Sequence, residues 1–129
     1  MYRIGVRKRF SAAHSLREYD GNCERLHGHN WLVEVVFTGE EADKIGMLLD
    51  FRVLKKALGE VLDELDHQHL NDLTPFKTRN PSSEFIAQHI FKEISRRITT
   101  GQIGAQHEAP LLAEVRVWES EDSWASYSE

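Results

Sequence analysis

Three histidines and one cysteine in the first quarter of the chain carry the residue types and spacing most suited to chemistry. His27 and His29 flank Gly28, and a two-residue step along an extended strand turns both imidazoles to one face, where they can hold a single metal ion. Gly28 has no side chain, so another backbone or a substrate can come close there. His14 ends an apolar alternating run upstream and can complete a set of three. Three neutral imidazoles with an open fourth position describe a catalytic zinc site rather than a structural one. Cys23, the only cysteine, precedes His27 by four residues. Beside a cation its thiol ionises readily and serves as nucleophile or base. As a fourth ligand it would instead close the site, and spacing leaves both roles open.

Further along, Leu65-Asp66-His67-Gln68-His69-Leu70-Asn71-Asp72 places polar groups directly after an amphipathic stretch. His67 or His69, with Asp66 or Asp72 orienting the ring, can act as the general base that activates the thiol. A histidine ending a helix beside its C-terminal dipole is the plainer alternative. Glu119 shares the parity of Val115 and Val117, so its carboxylate is expected to turn inward, where it needs a cation or a double N–H donor as partner. Ser82, Ser83 and Glu84 either line a ligand pocket or cap a helix.

The elements that position these residues follow from periodicity. Residues 3–13 alternate as a strand, with Ile4, Val6, Phe10 and Ala12 on the face that continues to His14. A loop with the turn Tyr19-Asp20-Gly21-Asn22 leads to a second strand over 28–38, where His27 and His29 share the parity of Trp31. Asp50 caps a helix over about 51–65, whose apolar stripe includes Leu54, Leu58, Val61 and Leu62. Asn80-Pro81 opens a second helix, with Asn80 as cap and Ile86, Ile90, Phe91 and Ile94 facing the core. A loop spans 99–110. A strand over 111–119 follows, with Leu111, Ala113, Val115, Val117 and Glu119 sharing one face, and 123–128 forms a short last strand. The order β-β-α-α-β-β predicts an α+β domain over 1–129, an antiparallel four-stranded sheet with both helices on one face.

Composition narrows the function classes. The 129 residues are 40% hydrophobic and 29% charged, which suits one soluble domain with one core. A net charge of -5 lacks the basic footprint of a nucleic-acid binder. An anionic ligand therefore needs a locally basic pocket, for which Arg7, Arg9, Arg25 and Arg79 are candidates. No apolar run reaches membrane-span length, the first residues do not form a signal peptide, and a lone cysteine suits a reducing cytoplasm.

Taken together, Phe10-Ser11-Ala12-Ala13-His14, Cys23-x-x-x-His27-Gly28-His29, Leu65-Asp66-His67-x-x-Leu70-Asn71-Asp72, Asn80-Pro81-Ser82-Ser83-Glu84 and Val117-Trp118-Glu119 resemble the 6-pyruvoyl-tetrahydropterin synthase family. Within it they are most similar to the bacterial 6-carboxy-5,6,7,8-tetrahydropterin synthase branch of queuosine and deazapurine biosynthesis. The resemblance implies the tunnelling fold, in which sheets join into a barrel in trimers and two trimers stack into a homohexamer. It implies zinc held by His14, His27 and His29, catalysis by Cys23 with Asp66 and His67, and a pterin anchored by Glu119 beside Ser82, Ser83 and Glu84. Active sites then lie between subunits. The implied substrate is 7,8-dihydroneopterin triphosphate, and the products are 6-carboxytetrahydropterin, acetaldehyde and triphosphate. Glu24, directly after Cys23, departs from the small residue common in that branch. Relatives with Glu at the Cys position cleave the side chain to 6-hydroxymethyl-dihydropterin, so Glu24 bears on the product. A pyruvoyl-type synthase and a non-catalytic zinc or pterin-binding module are the other readings.

Overall fold

The computed structural model describes residues 1–103 and 110–129; the middle of the expected 99–110 loop lies outside them. Two long antiparallel strands, β1 (Tyr2–His14) and β2 (His27–Gly39), pair along their whole length, with His14 directly opposite His27 and Ala12 opposite His29. The connecting loop contains the turn expected from its sequence. Asn22 N–H donates to the Tyr19 carbonyl, and both central residues, Asp20 and Gly21, have positive φ, the twist that suits a tight hairpin.

Helix α1 (Phe51–Asp63) starts where the cap predicts, Asp50 accepting from Arg52 N–H. It lays Leu54, Ala57, Leu58, Val61 and Leu62 on the sheet. Helix α2 (Ser83–Thr99) is capped by Ser82, which accepts from Phe85 N–H, and not by the expected Asn80. Asn80 instead uses its carboxamide on the backbone of Arg17. An Asn-Pro pair serves either purpose, and here the backbone partner prevails. The helix buries Ile86, Ala87, Ile90, Phe91 and Ile94, and Arg96 and Arg97 lie in its last turn.

The sheet is completed by β3 (Gln68–His69), β4 (Leu111–Trp118) and β5 (Trp124–Tyr127), in the order β3-β1-β2-β4-β5. The expectation of four antiparallel strands is corrected in one respect. The chain leaving α1 runs beside β1 for two residues in parallel, so the sheet has five strands and is mixed. Two residues are too few to show any periodicity. The β4 parity also changes part-way. Val36 pairs with Glu114 and Phe37 with Leu112, so Ala113 is bulged out of the ladder. Leu112 therefore packs on the core with Val115 and Val117, while Leu111 is exposed.

One core lies between the sheet and the two helices, centred on Trp31, Val33, Val35, Leu58, Ile86 and Val115. The opposite sheet face is polar and aromatic. There Arg7 bonds Glu34 at 2.6 Å and Arg116 bonds Glu114 at 2.7 Å. Among the described residues, no helix is long and apolar enough to cross a membrane.

Candidate functional site

The inner face of the β1–β2 pair ends in imidazoles because its alternation carries past the core. Along β1 the buried series Val6, Phe10, Ala12 continues to His14, and along β2 the series Val35, Val33, Trp31 continues to His29 and His27. Trp31 forms the floor. Fully buried, it donates Nε1–H to the Ala12 carbonyl at 3.3 Å and lies edge-on to His14 and His29, with ring centroids 4.9 and 5.0 Å away. Its shared parity with His29 was the sequence signal for this role.

Donor atoms of His14, His27, His29 and Glu119 all lie within 4.8 Å of one another. The outer nitrogens of two rings are already committed. His14 Nδ1 is 2.7 Å from the Pro81 carbonyl and His27 Nδ1 is 2.7 Å from the Arg25 carbonyl. A carbonyl only accepts, so each Nδ1 carries a proton, and in the neutral ring Nε2 is the nitrogen with the free lone pair. Those two Nε2 atoms face each other at 3.2 Å, which neutral rings cannot turn into a hydrogen bond. His29 Nε2 is buried and lacks an aligned hydrogen-bond partner, although Glu119 Oε1 is 2.9 Å away. Burial lowers the pKa of His29, with Glu119 opposing and the other two rings assisting, which favours the neutral, ligating form.

Lone pairs converging on one point suit a cation. Ligands of a tetrahedral zinc at 2.0–2.1 Å stand about 3.3 Å apart, close to the spacing of His14 and His27. The cluster is compatible with a zinc ion. Backbone carbonyls fixing the far ring nitrogens are the usual outer support of such ligands. Pro81 and Arg25 had no sequence signal, since a carbonyl acceptor is independent of residue type.

Glu119 lies just beyond β4 and turns inward as its parity predicted; its N–H donates to the Ser123 carbonyl in the turn to β5. Its second oxygen is 3.5 Å from the hydroxyl of Ser83, which is itself buried. Ser82 is the α2 cap, and Glu84 is exposed in the first turn. Cys23 is exposed on the β1–β2 loop and is not among the converging donors. Gly28 is also exposed, and a Cβ there would meet only the Ala12 carbonyl oxygen, at 3.6 Å.

Asp66 and His67 sit at the β1 edge near Ser11. Asp66 Oδ1 accepts from Ser11 N–H at 2.8 Å, and His67 N–H donates back to the Ser11 carbonyl at 2.6 Å. Asp66 Oδ2 lies 2.8 Å from His67 Nδ1, so the carboxylate orients the ring. The Ser11 bond, with His67 second, holds the Asp66 carboxyl below the usual carboxylate range. His67 has a φ of 57°, a left-handed value held by its N–H bond to the Ser11 carbonyl and its ring contact with Asp66, and its side chain is 81% exposed. His69 forms a separate pair with Asp72 at 3.2 Å. Among the described residues, no hydrogen bond or ion pair joins Asp66 and His67 to the histidine cluster or to Cys23. A cavity of about 670 Å³ on the polar sheet face is lined by Asp66, Arg7, Arg9, Ser11, Asn30 and Trp118. It lies on the side of the sheet away from the histidines.

The sequence pattern of the family described as 6-pyruvoyl tetrahydropterin synthase matches residues 3–129. The chain belongs to that family. It is 36% identical, over 122 residues, to a putative 6-carboxy-5,6,7,8-tetrahydropterin synthase of Archaeoglobus fulgidus, covering 95% of this chain and 91% of the relative. It is 40% identical, over 96 residues, to a dihydroneopterin monophosphate aldolase of Pyrococcus furiosus, covering 74% and 77%. The solved structure of the Caenorhabditis elegans 6-pyruvoyl tetrahydropterin synthase superposes with a TM-score of 0.80 at 26% identity, covering 99% of this chain and 95% of that one. Membership in the synthase family accounts for the α+β fold.

Proposed function

We propose that this single-domain synthase, over 1–129, is a cytoplasmic zinc-dependent 6-carboxy-5,6,7,8-tetrahydropterin synthase acting on 7,8-dihydroneopterin triphosphate. The observation that carries the reading is the convergence of His14, His27 and His29, with the rings of His14 and His27 held from behind by backbone carbonyls. The relative of Archaeoglobus fulgidus supports the choice of product class.

Zinc, when bound by the three histidines, supplies Lewis-acid polarisation of a substrate side-chain hydroxyl. The protein's own groups supply the rest. Asp66 fixes the His67 ring through Nδ1 and leaves its exposed Nε2 to take a proton from carbon or return it to oxygen. Cys23 is the second proton carrier, on the loop that leads into His27. Glu119, backed by Ser83, grips the paired N–H edge of the pterin ring. Ser82 and Glu84 flank that pocket from the start of α2. The exposure of Asp66–His67 at a sheet edge, away from the cluster, supports a complete site built between copies, in the hexamer of two trimers that the family resemblance implies. The implied products are 6-carboxytetrahydropterin, acetaldehyde and triphosphate.

The relative of Pyrococcus furiosus favours a second reading, side-chain cleavage to 6-hydroxymethyl-dihydropterin from a phosphorylated dihydroneopterin. Zinc-loaded protein incubated with the triphosphate and, separately, with dihydroneopterin monophosphate decides between them by product mass. The carboxy product with acetaldehyde is expected. Only hydroxymethyl or pyruvoyl product overturns the carboxy assignment, and tight zinc binding with no turnover returns the chain to a binding module. Cys23→Ala is expected to keep zinc and lose turnover; loss of zinc instead makes Cys23 a ligand.

A further inference from the structure

The segment leaving β1, Ser15 to Arg17, is held like a strand with both edges paired, although its partners are two side chains and a loop residue and not neighbouring strands. Asn71 accepts from Ser15 N–H at 3.0 Å and donates to the Ser15 carbonyl at 2.8 Å. Asn80 repeats the pattern two residues on, accepting from Arg17 N–H at 2.8 Å and donating to its carbonyl at 3.1 Å. Each carboxamide thus replaces one peptide unit of a neighbouring strand. Leu16, between them, faces the other way. Its carbonyl accepts from Glu24 N–H at 2.8 Å, and its N–H donates to Glu24 Oε1 at 3.3 Å. The Arg17 guanidinium adds bonds to the Asn71 and Arg79 carbonyls, both at 3.1 Å. Backbone groups in a surface loop are ordinarily satisfied by water, so spending two asparagines and a carboxylate on three residues marks a loop whose position matters.

The same bonds decide where Glu24 points. Its Oε1 is 3.8 Å from His27 Nδ1, the ring nitrogen that already serves the Arg25 carbonyl, and not on the Nε2 side where the histidines converge. Glu24 therefore stands behind the cluster, half-buried, while its neighbour Cys23 is exposed. We propose that Asn71, Asn80 and Glu24 are positioning residues, a clasp that fixes the Ser15–Glu24 loop so that Cys23 is presented at a set place beside His27. In this arrangement Glu24 serves as a hydrogen-bond acceptor and transfers no proton. The catalytic part of the inference rests on the synthase reading above.

The test compares zinc-loaded wild type with Asn80→Ala, Glu24→Ala and Glu24→Gln by amide hydrogen exchange, zinc content and steady-state kinetics on dihydroneopterin triphosphate. Asn71 is buried, so the half-buried Asn80 and Glu24 carry the test. Exchange over 15–24 is expected to rise about fivefold to tenfold in Asn80→Ala and Glu24→Ala, while β1, β2 and zinc content stay as in wild type. Their kcat falls about tenfold or more with KM within about twofold, as displacement of a reacting group predicts. Glu24→Gln keeps an acceptor for Leu16 and is expected to match wild type in exchange, kcat and product. Wild-type exchange in both alanine variants overturns the clasp. Lost turnover in Glu24→Gln with wild-type exchange makes Glu24 a proton carrier and overturns its assigned role. If wild type turns over no pterin, the synthase reading fails while the exchange data still decide the clasp.

Discussion

At His14 and His27, the ring nitrogen facing away from the cluster is bound to a carbonyl, and that commitment makes the inward nitrogens ligands in waiting. Removing one ring should therefore cost metal before it costs fold. His27 is the first residue of β2 and only half-buried. His27→Ala is expected to lower zinc, measured by atomic absorption, from about one ion per chain to near none, with the far-ultraviolet circular dichroism unchanged. Asp66 makes a different kind of prediction. Its pKa is held down chiefly by the Ser11 N–H and then by His67, so the ionised carboxylate contributes stability above its ordinary pKa near 3.8. That contribution disappears as pH falls through the lower folded value. Asn at 66 can still accept from Ser11 but cannot ionise. Urea midpoints of wild type and Asp66→Asn should differ at pH 7 and converge towards pH 3, and a gap that is constant with pH contradicts the assignment.

Helix α1 carries Gly59 in its interior, where a Cβ would approach the Lys8 ammonium nitrogen to 2.8 Å. Lys8 is exposed and its end can move, so the intrinsic helix preference should prevail. Gly59→Ala is expected to raise stability by roughly 0.5–1 kcal/mol, read from the urea midpoint. Elements with a clear period were legible in the sequence: both long strands, the α1 stripe with Asp50 as cap, and the α2 face. The histidine triple was legible for the same reason, since His14, His27 and His29 continue alternations that the core enforces. Features without a period were not. Leu111, Leu112 and Ala113 are all apolar, so nothing in their order marks Ala113 as the bulged residue. β3 is set by the edge of β1 and not by its own residues. Asn80 read as a cap and Asn71 only as one of a polar cluster, because a carboxamide that pairs with distant backbone leaves no local trace.

At the scale of the whole molecule, the sheet is open on both sides among the described residues. There β3 covers β1 only at Ala12 and Ala13, and β5 pairs on one side only, with β4. Unpaired strand edges are templates for further pairing, and the proposed assembly uses them to join copies side by side. Light scattering on the purified protein should give a mass that is a multiple of three 14.9 kDa chains, six being expected. A monomer at micromolar concentration would contradict an active site shared between copies. The bulge at Ala113 has a consequence for how the chain tolerates changes in its length. Removing Ala113 would leave Leu112 opposite Phe37 and Glu114 opposite Val36, the partners they have now, in an unbroken ladder. Everything downstream would keep its face. Removing Arg116 instead, three residues further on, would turn Glu119 to the far side of the sheet, away from the histidines. The fold thus has a place where one residue can be lost without moving the site, and just beyond it a stretch where none can.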